Sequence, residues 1–282
     1  MEIVTLNNGL EMPILGFGVM ELAGEDCVRG ICHAVNAGYR LIDTATLYGN
    51  EKAVGQGIRE CGIPRKELFI TAKVWPSDAG YEKTKAAFEL SLQNLGLDFM
   101  DLYLVHQPYG DYYGSWRAME ELYRQGKIKA IGVSNFSNQQ LVDLMVNNEI
   151  PPAINQIGLT PYDQRSETRK VLERYNVKVE AWGPLGRGQQ ELLNDSVLAE
   201  IGAKYGKSIA QVILRWHIQQ GIIAIPKSAH QERIKENYDI WDFTLSTEDM
   251  ERIAMLDRNQ EQPIDPQSLE MVKMICEMKP NN

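Results

Sequence analysis

The feature that most constrains this chain is a rhythm of short apolar runs. They are rich in β-branched residues and recur near 15–18, 40–42, 68–74, 100–106, 129–134, 153–157, 177–182 and 222–226, giving eight expected strands. Between them lie amphipathic stretches such as EDCVRGICHAVNAG, YEKTKAAFELSLQNLG, SWRAMEELYRQGK and SNQQLVDLMVNNEI, whose apolar positions fall three and four residues apart. Several close on Gly or Asn, as helix C-termini do. Strands alternating with helix-length segments predict a parallel α/β sheet, and this spacing favours a (β/α)8 TIM barrel. A doubly wound sheet would call for GxGxxG after the first strand, and LGFGVM lacks the third glycine. Ahead of the alternation, VTLNNGLEMPILGFGV reads as two short strands about an Asn-Asn-Gly turn, an N-terminal β-hairpin suited to plugging the closed end. Between strands seven and eight, NDSVLAEIGAKYG and SIAQVILRWHIQQG predict an inserted helix.

Barrels of this kind run to ~250 residues as one unit, so residues 1–282 are expected to form a single domain. A net charge of −9 argues against a nucleic-acid partner, which would want Lys and Arg gathered on one face. No apolar run approaches the ~20 residues that span a bilayer, and MEIVTLNNGLEMPILGFG lacks the layout of a signal peptide. The expectation is a cytoplasmic monomer with no membrane partner. Cys27, Cys32, Cys61 and Cys276 form no CxxC pair and read as reduced thiols. His33, His106, His217 and His230 show no metal-ligand spacing, and no metal is expected.

Function in a barrel gathers at the C-terminal ends of the strands. In RLIDTATLYGNE a strand runs into Asp43 and then a loop carrying Tyr48; in LFITAKVW it ends at Lys73; in MDLYLVHQP it ends at His106. Each alone has an ordinary reading: the Asp caps a helix, the Tyr packs, the Lys is solvated. Together at one mouth they make a proton donor. A phenol of pKa ~10 is a poor acid at neutral pH, but a nearby ammonium favours the phenolate and a carboxylate holds that ammonium in place. Tyr48 would be the acid, and His106 would orient or polarise a carbonyl oxygen or share its proton. In IIAIPKSAHQERIKENYDI, Lys227 and Ser228 with Arg233 in the first turn of a helix suit an anion such as phosphate, the ordinary alternative being a solvated helix start.

With those segments in view, nearly the whole chain resembles an aldo-keto reductase with a short, prokaryotic-type tail. The likeness runs from LGFGV through the four residues above to IPKSxxxxRIxEN, with GKIKAIGVSNF, INQIGLTPY and AWGPLGRG in order. It implies an enzyme that reduces aldehydes and ketones to alcohols with NADPH, the dinucleotide lying extended across the mouth. Asp43, Tyr48, Lys73 and His106 match the family's catalytic tetrad. Ser134, Asn135 and Gln156 match contacts to the nicotinamide carboxamide; Lys227, Ser228 and Arg233 match contacts to the 2′-phosphate, and Glu236 and Asn237 the adenine end. Leu185, Gly186 and Arg187 would line the pyrophosphate, with Gly18, Val19, Met20 and Asp43 also beside the cofactor. Two departures stand out: Trp182-Gly183 where the family often has Tyr-Ser, and Thr160 where it often has His. An indole can still stack on the nicotinamide.

Met20, Trp75, Tyr109 and Trp116 are expected in loops after strands, as an apolar wall for the substrate beside Tyr48 and His106. After Asp257 a short tail with a terminal helix from Ser268 implies an open pocket. Two other readings keep parts of this pattern. A non-catalytic NADPH-binding regulatory subunit would keep the cofactor site, but the intact tetrad argues against it. An enzyme of phosphorylated sugars would use the Lys-Ser-Arg cluster, but leaves Tyr48 and Lys73 without a task. Relatives that saturate carbon–carbon double bonds carry Glu in place of His106, which sets this chain among the carbonyl reducers.

Overall fold

The computed structural model describes residues 2–258 and 268–280. A hairpin opens the chain: β1 (Ile3–Thr5) pairs antiparallel with β2 (Glu11–Pro13), Val4 lying opposite Met12. Its turn reverses at Gly9, whose φ of 85° favours a residue without a side chain.

Eight parallel strands come next, each hydrogen-bonded to its neighbour in chain order: β3 (Gly16–Gly18), β4 (Leu41–Asp43), β5 (Phe69–Val74), β6 (Met100–Val105), β7 (Ile128–Ser134), β8 (Ile154–Gly158), β9 (Lys178–Trp182) and β10 (Ile223–Ile225). The ends of the row meet as well. Leu15 bridges to Ala224 in parallel, the Ala224 amide donates to Ile14 at 3.0 Å, and the Gly18 amide donates to Pro226 at 3.0 Å. The result is a (β/α)8 barrel with an N-terminal hairpin, as the alternation implied. Every residue of β5 and β6 is buried, which explains why these strands read as near-continuous apolar runs rather than alternating ones.

The helices turn one stripe to the barrel. In Gly24–Ala37 the buried positions include Cys27, Val28, Ile31, Ala34 and Val35, and the helix stops at Gly38 in a left-handed conformation. Capping boxes at Ser137 and Ser208 start two others. Between β9 and β10 the structure has more than the single inserted helix expected: a short helix Gln190–Leu193 and a second, Ser196–Tyr205, precede Ile209–Gln219. No helix among the described residues is long and apolar enough to cross a membrane.

The terminal helix forms at Leu269–Glu277, capped by Ser268 as expected. The tail does not run free of the barrel. The Met278 carbonyl accepts a hydrogen bond from the Trp75 indole at 2.9 Å, so the chain returns to the mouth after that helix and covers its Trp75 side.

Candidate active site

Lys73 is wholly buried near the end of β5, and its ammonium is held from three sides. It meets Asp43 Oδ1 at 2.5 Å, the Thr44 carbonyl at 2.9 Å and the Tyr48 hydroxyl at 3.5 Å. Tyr48 closes a short helical turn, Thr46–Tyr48, that Thr46 Oγ1 ties to the Lys73 carbonyl at 3.1 Å. Thus the strand that supplies the ammonium also anchors the turn that supplies the phenol. His106 sits one residue beyond β6, its amide bonded to Val74 at 3.0 Å. Its ring lies edge-on to Tyr48 at 5.8 Å between centroids and to Trp75 at 4.9 Å. The structure therefore brings Asp43, Tyr48, Lys73, His106 and Trp75 together.

Charge states follow from the burial. Burial is the largest single influence on Lys73 and disfavours its ammonium, but Asp43 and the other acidic groups around it together hold the lysine above its ordinary range, so it stays charged. Burial also raises the Tyr48 phenol, against the pull of Lys73, and Tyr48 keeps its proton at neutral pH. Burial and the Lys73 charge push His106 well below the usual imidazole value, so its ring is neutral.

Behind the pair stands Gln156 of β8. Its side-chain nitrogen donates to Asp43 Oδ2 at 2.9 Å and to Glu180 Oε2 at 2.8 Å. Beside it, Ser134 Oγ and the Asn135 amide both donate to the Gln156 carbonyl at 2.9 Å. Asn135, at a φ of 61°, directs its side-chain amide to the His106 carbonyl at 3.3 Å and accepts from the Trp182 indole at 2.9 Å. Gln156, Ser134, Asn135 and Trp182 thus form one connected network around the mouth. Trp182 remains half-buried, and Arg187 stands 5.6 Å from its ring centroid while donating to Met20 Sδ at 3.4 Å. Gly183 explains one departure noted in the sequence: its φ is 56°, a backbone state that disfavours a side chain. Gly186, after Leu185, is likewise left-handed. Thr160 is taken up by a turn, bridging to Asp163 and accepting from the Tyr162 amide at 3.3 Å.

At the far side, Lys227 and Ser228 lie just past β10, and Arg233 lies in the first turn of the helix Gln231–Tyr238, with Glu236 and Asn237 a turn further. A Cβ on Gly18 would lie 3.8 Å from that of Lys227, which places β3 against this corner. Lys227 meets Glu21 only at 3.7 Å, and Arg233 is exposed.

One expected wall residue is elsewhere. Trp116 lies within the helix Tyr112–Arg124, not in a loop; it has 0% exposure, and its indole donates to the Ile150 carbonyl at 3.2 Å. Burial of so large a ring in the helical layer makes it core, not substrate wall. Tyr109 is half-buried in the loop after His106. Sequence reasoning missed Glu180 and Asn50. Asn50 precedes a helix, yet its side chain caps nothing there: it donates to the Val19 and Leu22 carbonyls at 2.8 and 2.9 Å and accepts from Thr44 at 3.0 Å. It pins the Val19–Met20 loop to the end of β4.

A phenol against a buried lysine–aspartate pair stands at the C-terminal mouth of a (β/α)8 barrel, the face on which this fold carries its functional residues. The chain belongs to the aldo/keto reductase family, whose model matches residues 14–258. It is 48% identical over 270 residues to a glyoxal reductase of Bacillus subtilis, covering 95% of this chain and 97% of that protein. Among solved structures it resembles an aldo/keto reductase from Brucella melitensis, with a TM-score of 0.88 and 45% identity over 91% of this chain and 99% of the other. It also resembles a Bombyx mori aldo-keto reductase crystallised with NADP, with a TM-score of 0.89 and 34% identity over 94% of this chain and 95% of the other. The protein is thus an oxidoreductase of carbonyl compounds.

Proposed function

We propose that this protein reduces aldehydes and ketones to alcohols with NADPH, Tyr48 donating the proton. The observation that carries the reading is the contact of the Tyr48 hydroxyl with the charged Lys73, itself fixed by Asp43. As the carbonyl oxygen gains negative charge, Tyr48 gives up its proton, and the ammonium beside it stabilises the phenolate left behind. Neutral His106 is fitted to hold that oxygen over the phenol by hydrogen bonding. The residues also fit the cofactor. Trp182 offers a half-buried aromatic face, Ser134, Asn135 and Gln156 offer amide and hydroxyl groups beside it, and Lys227, Ser228 and Arg233 offer cations and a hydroxyl where a 2′-phosphate would be read. Bound NADPH would supply the hydride. Gly18, Val19, Met20, Leu185 and Gly186 would line its length, with Glu236 and Asn237 at the adenine.

Trp75, His106 and Tyr109 would face the substrate, and the tail at Met278 would border it. The same reading takes the protein as a cytoplasmic monomer, in keeping with its unpaired cysteines, and light scattering checks the mass. The experiment is to mix protein, NADPH and a panel of carbonyls that includes an α,β-unsaturated aldehyde. Consumption of NADPH with formation of the allylic alcohol, identified by NMR, is the expected result. Saturated aldehyde as the main product would contradict the role of His106.

A further inference from the structure

Glu180 has no part in the mechanism above, yet it stands in the middle of β9 with 0% exposure, facing the groups that matter most. In register it sits opposite Gln156, whose amide nitrogen joins it to Asp43. Two carboxyls therefore share one glutamine donor inside the barrel, and one ammonium, that of Lys73, serves both. Asp43 has the direct contact with that ammonium. Glu180 has only Gln156, and its Oε1 has no hydrogen-bond partner among the described residues.

An ionised carboxylate left in that position would be expensive; a carboxylic acid is not. We propose that Glu180 is a positioning residue that stays a neutral acid while the enzyme works, and that its ionisation, transmitted through Asp43 and Lys73, makes Tyr48 a poorer proton donor. This rests on the reading of Tyr48 as the acid. The charged groups facing Glu180 are Asp43 from β4 and Lys73 from β5; β8 presents neutral Gln156, and the register neighbour on β10 is Ile223. Loss of the Glu180 proton puts a second negative charge across Gln156 from Asp43. Part of the lysine's field at the phenol oxygen is then cancelled, and the phenolate is less well stabilised. Burial, reinforced by the Asp43 charge, pushes Glu180 up to about 8, so the change falls on the alkaline side of neutrality.

The test is the pH dependence of kcat/KM for the NADPH-loaded enzyme with one aldehyde, in the wild type and in Glu180→Gln. The glutamine keeps an acceptor for Gln156 but cannot ionise. Expected is agreement within about threefold near pH ~6.5, and a variant faster by about tenfold near pH ~9.5, because one unit of pKa is a factor of ten. Superimposable alkaline limbs overturn the proposal, and so does a variant that is slower by the same factor at every pH, which would mark a purely structural role. Should Glu180→Gln fail to fold, Glu180→Met takes its place in the same series. A second readout needs no turnover: infrared titration of the Glu51→Gln variant carrying 13C-labelled glutamate, which lacks the other glutamate that burial raises among the described residues. A protonated-carboxyl band lost between neutral and alkaline pH is expected, and its absence at neutral pH overturns the proposal. A wild type that turns over no carbonyl at any pH sinks the reading of the active site instead, and the infrared band still decides the state of Glu180.

Discussion

The two sides of the barrel mouth are built on opposite plans. On the side of β4, β5, β8 and β9, Asp43, Lys73, Gln156 and Glu180 are buried and locked to one another by hydrogen bonds before any ligand arrives. On the side of β10, Lys227 and Arg233 stand in solvent, with Glu21 at 3.7 Å the near approach to an ion pair at Lys227. The first arrangement is preorganised: desolvation has been incurred in folding, and the geometry costs nothing at the moment of reaction. On the proposed reading, the second leaves its cations hydrated until a phosphate replaces the water, so that it would contribute affinity and selectivity rather than shape. Substitutions on the two sides should therefore fail in different ways.

The largest effect is expected at Lys73. Lys73→Met leaves Asp43 as an unpaired charge in the barrel, and breaking such a pair costs about 3–5 kcal/mol of stability. Activity and thermal stability should fall together, measured by turnover and by a chemical melt. A fully stable but inactive variant would show that the pair is not holding the barrel interior. Next comes Arg233→Ala, which should weaken NADPH binding by about tenfold or more, a charge-assisted bond contributing ~1.5–3 kcal/mol, while leaving the melt unchanged. Fluorescence titration checks it, and an equal loss for NADH would mean that Arg233 does not read the 2′-phosphate. The smallest is at Trp75. Trp75→Phe keeps the ring against His106 but removes the donor to Met278, worth about 0.5–1.5 kcal/mol, and should loosen the tail. Faster hydrogen exchange confined to the terminal helix Leu269–Glu277 is the expected signature.

That contrast also sorts what was legible in the sequence. All eight barrel strands were visible as apolar runs, most plainly β5 and β6, whose residues are all buried. Asp43, Lys73 and His106 were visible because each stands at or beside a strand end. Glu180 was hidden for a physical reason: in KVEAW a single Glu reads as ordinary alternation with Lys178 and Trp182, and only the register with Gln156 shows which way it faces. Trp116 went wrong where two local signals competed. SWRAMEELYRQGK has a helical pattern, and the helix, not the preceding loop, owns the tryptophan. The contact of Met278 with Trp75 was out of reach of any local signal, since the two lie 203 residues apart.

The central claim is that Tyr48 is the proton donor in an NADPH-dependent carbonyl reduction, and Tyr48→Phe tests it most directly. The substitution removes one hydroxyl and leaves the ring beside His106 and the Lys73–Asp43 pair in place. Single-turnover reduction of an aldehyde should slow by at least about a hundredfold, the lower end of what a positioned acid contributes, with NADPH affinity by titration nearly unchanged. Near-normal reduction by Tyr48→Phe would contradict the account and move the acid to His106.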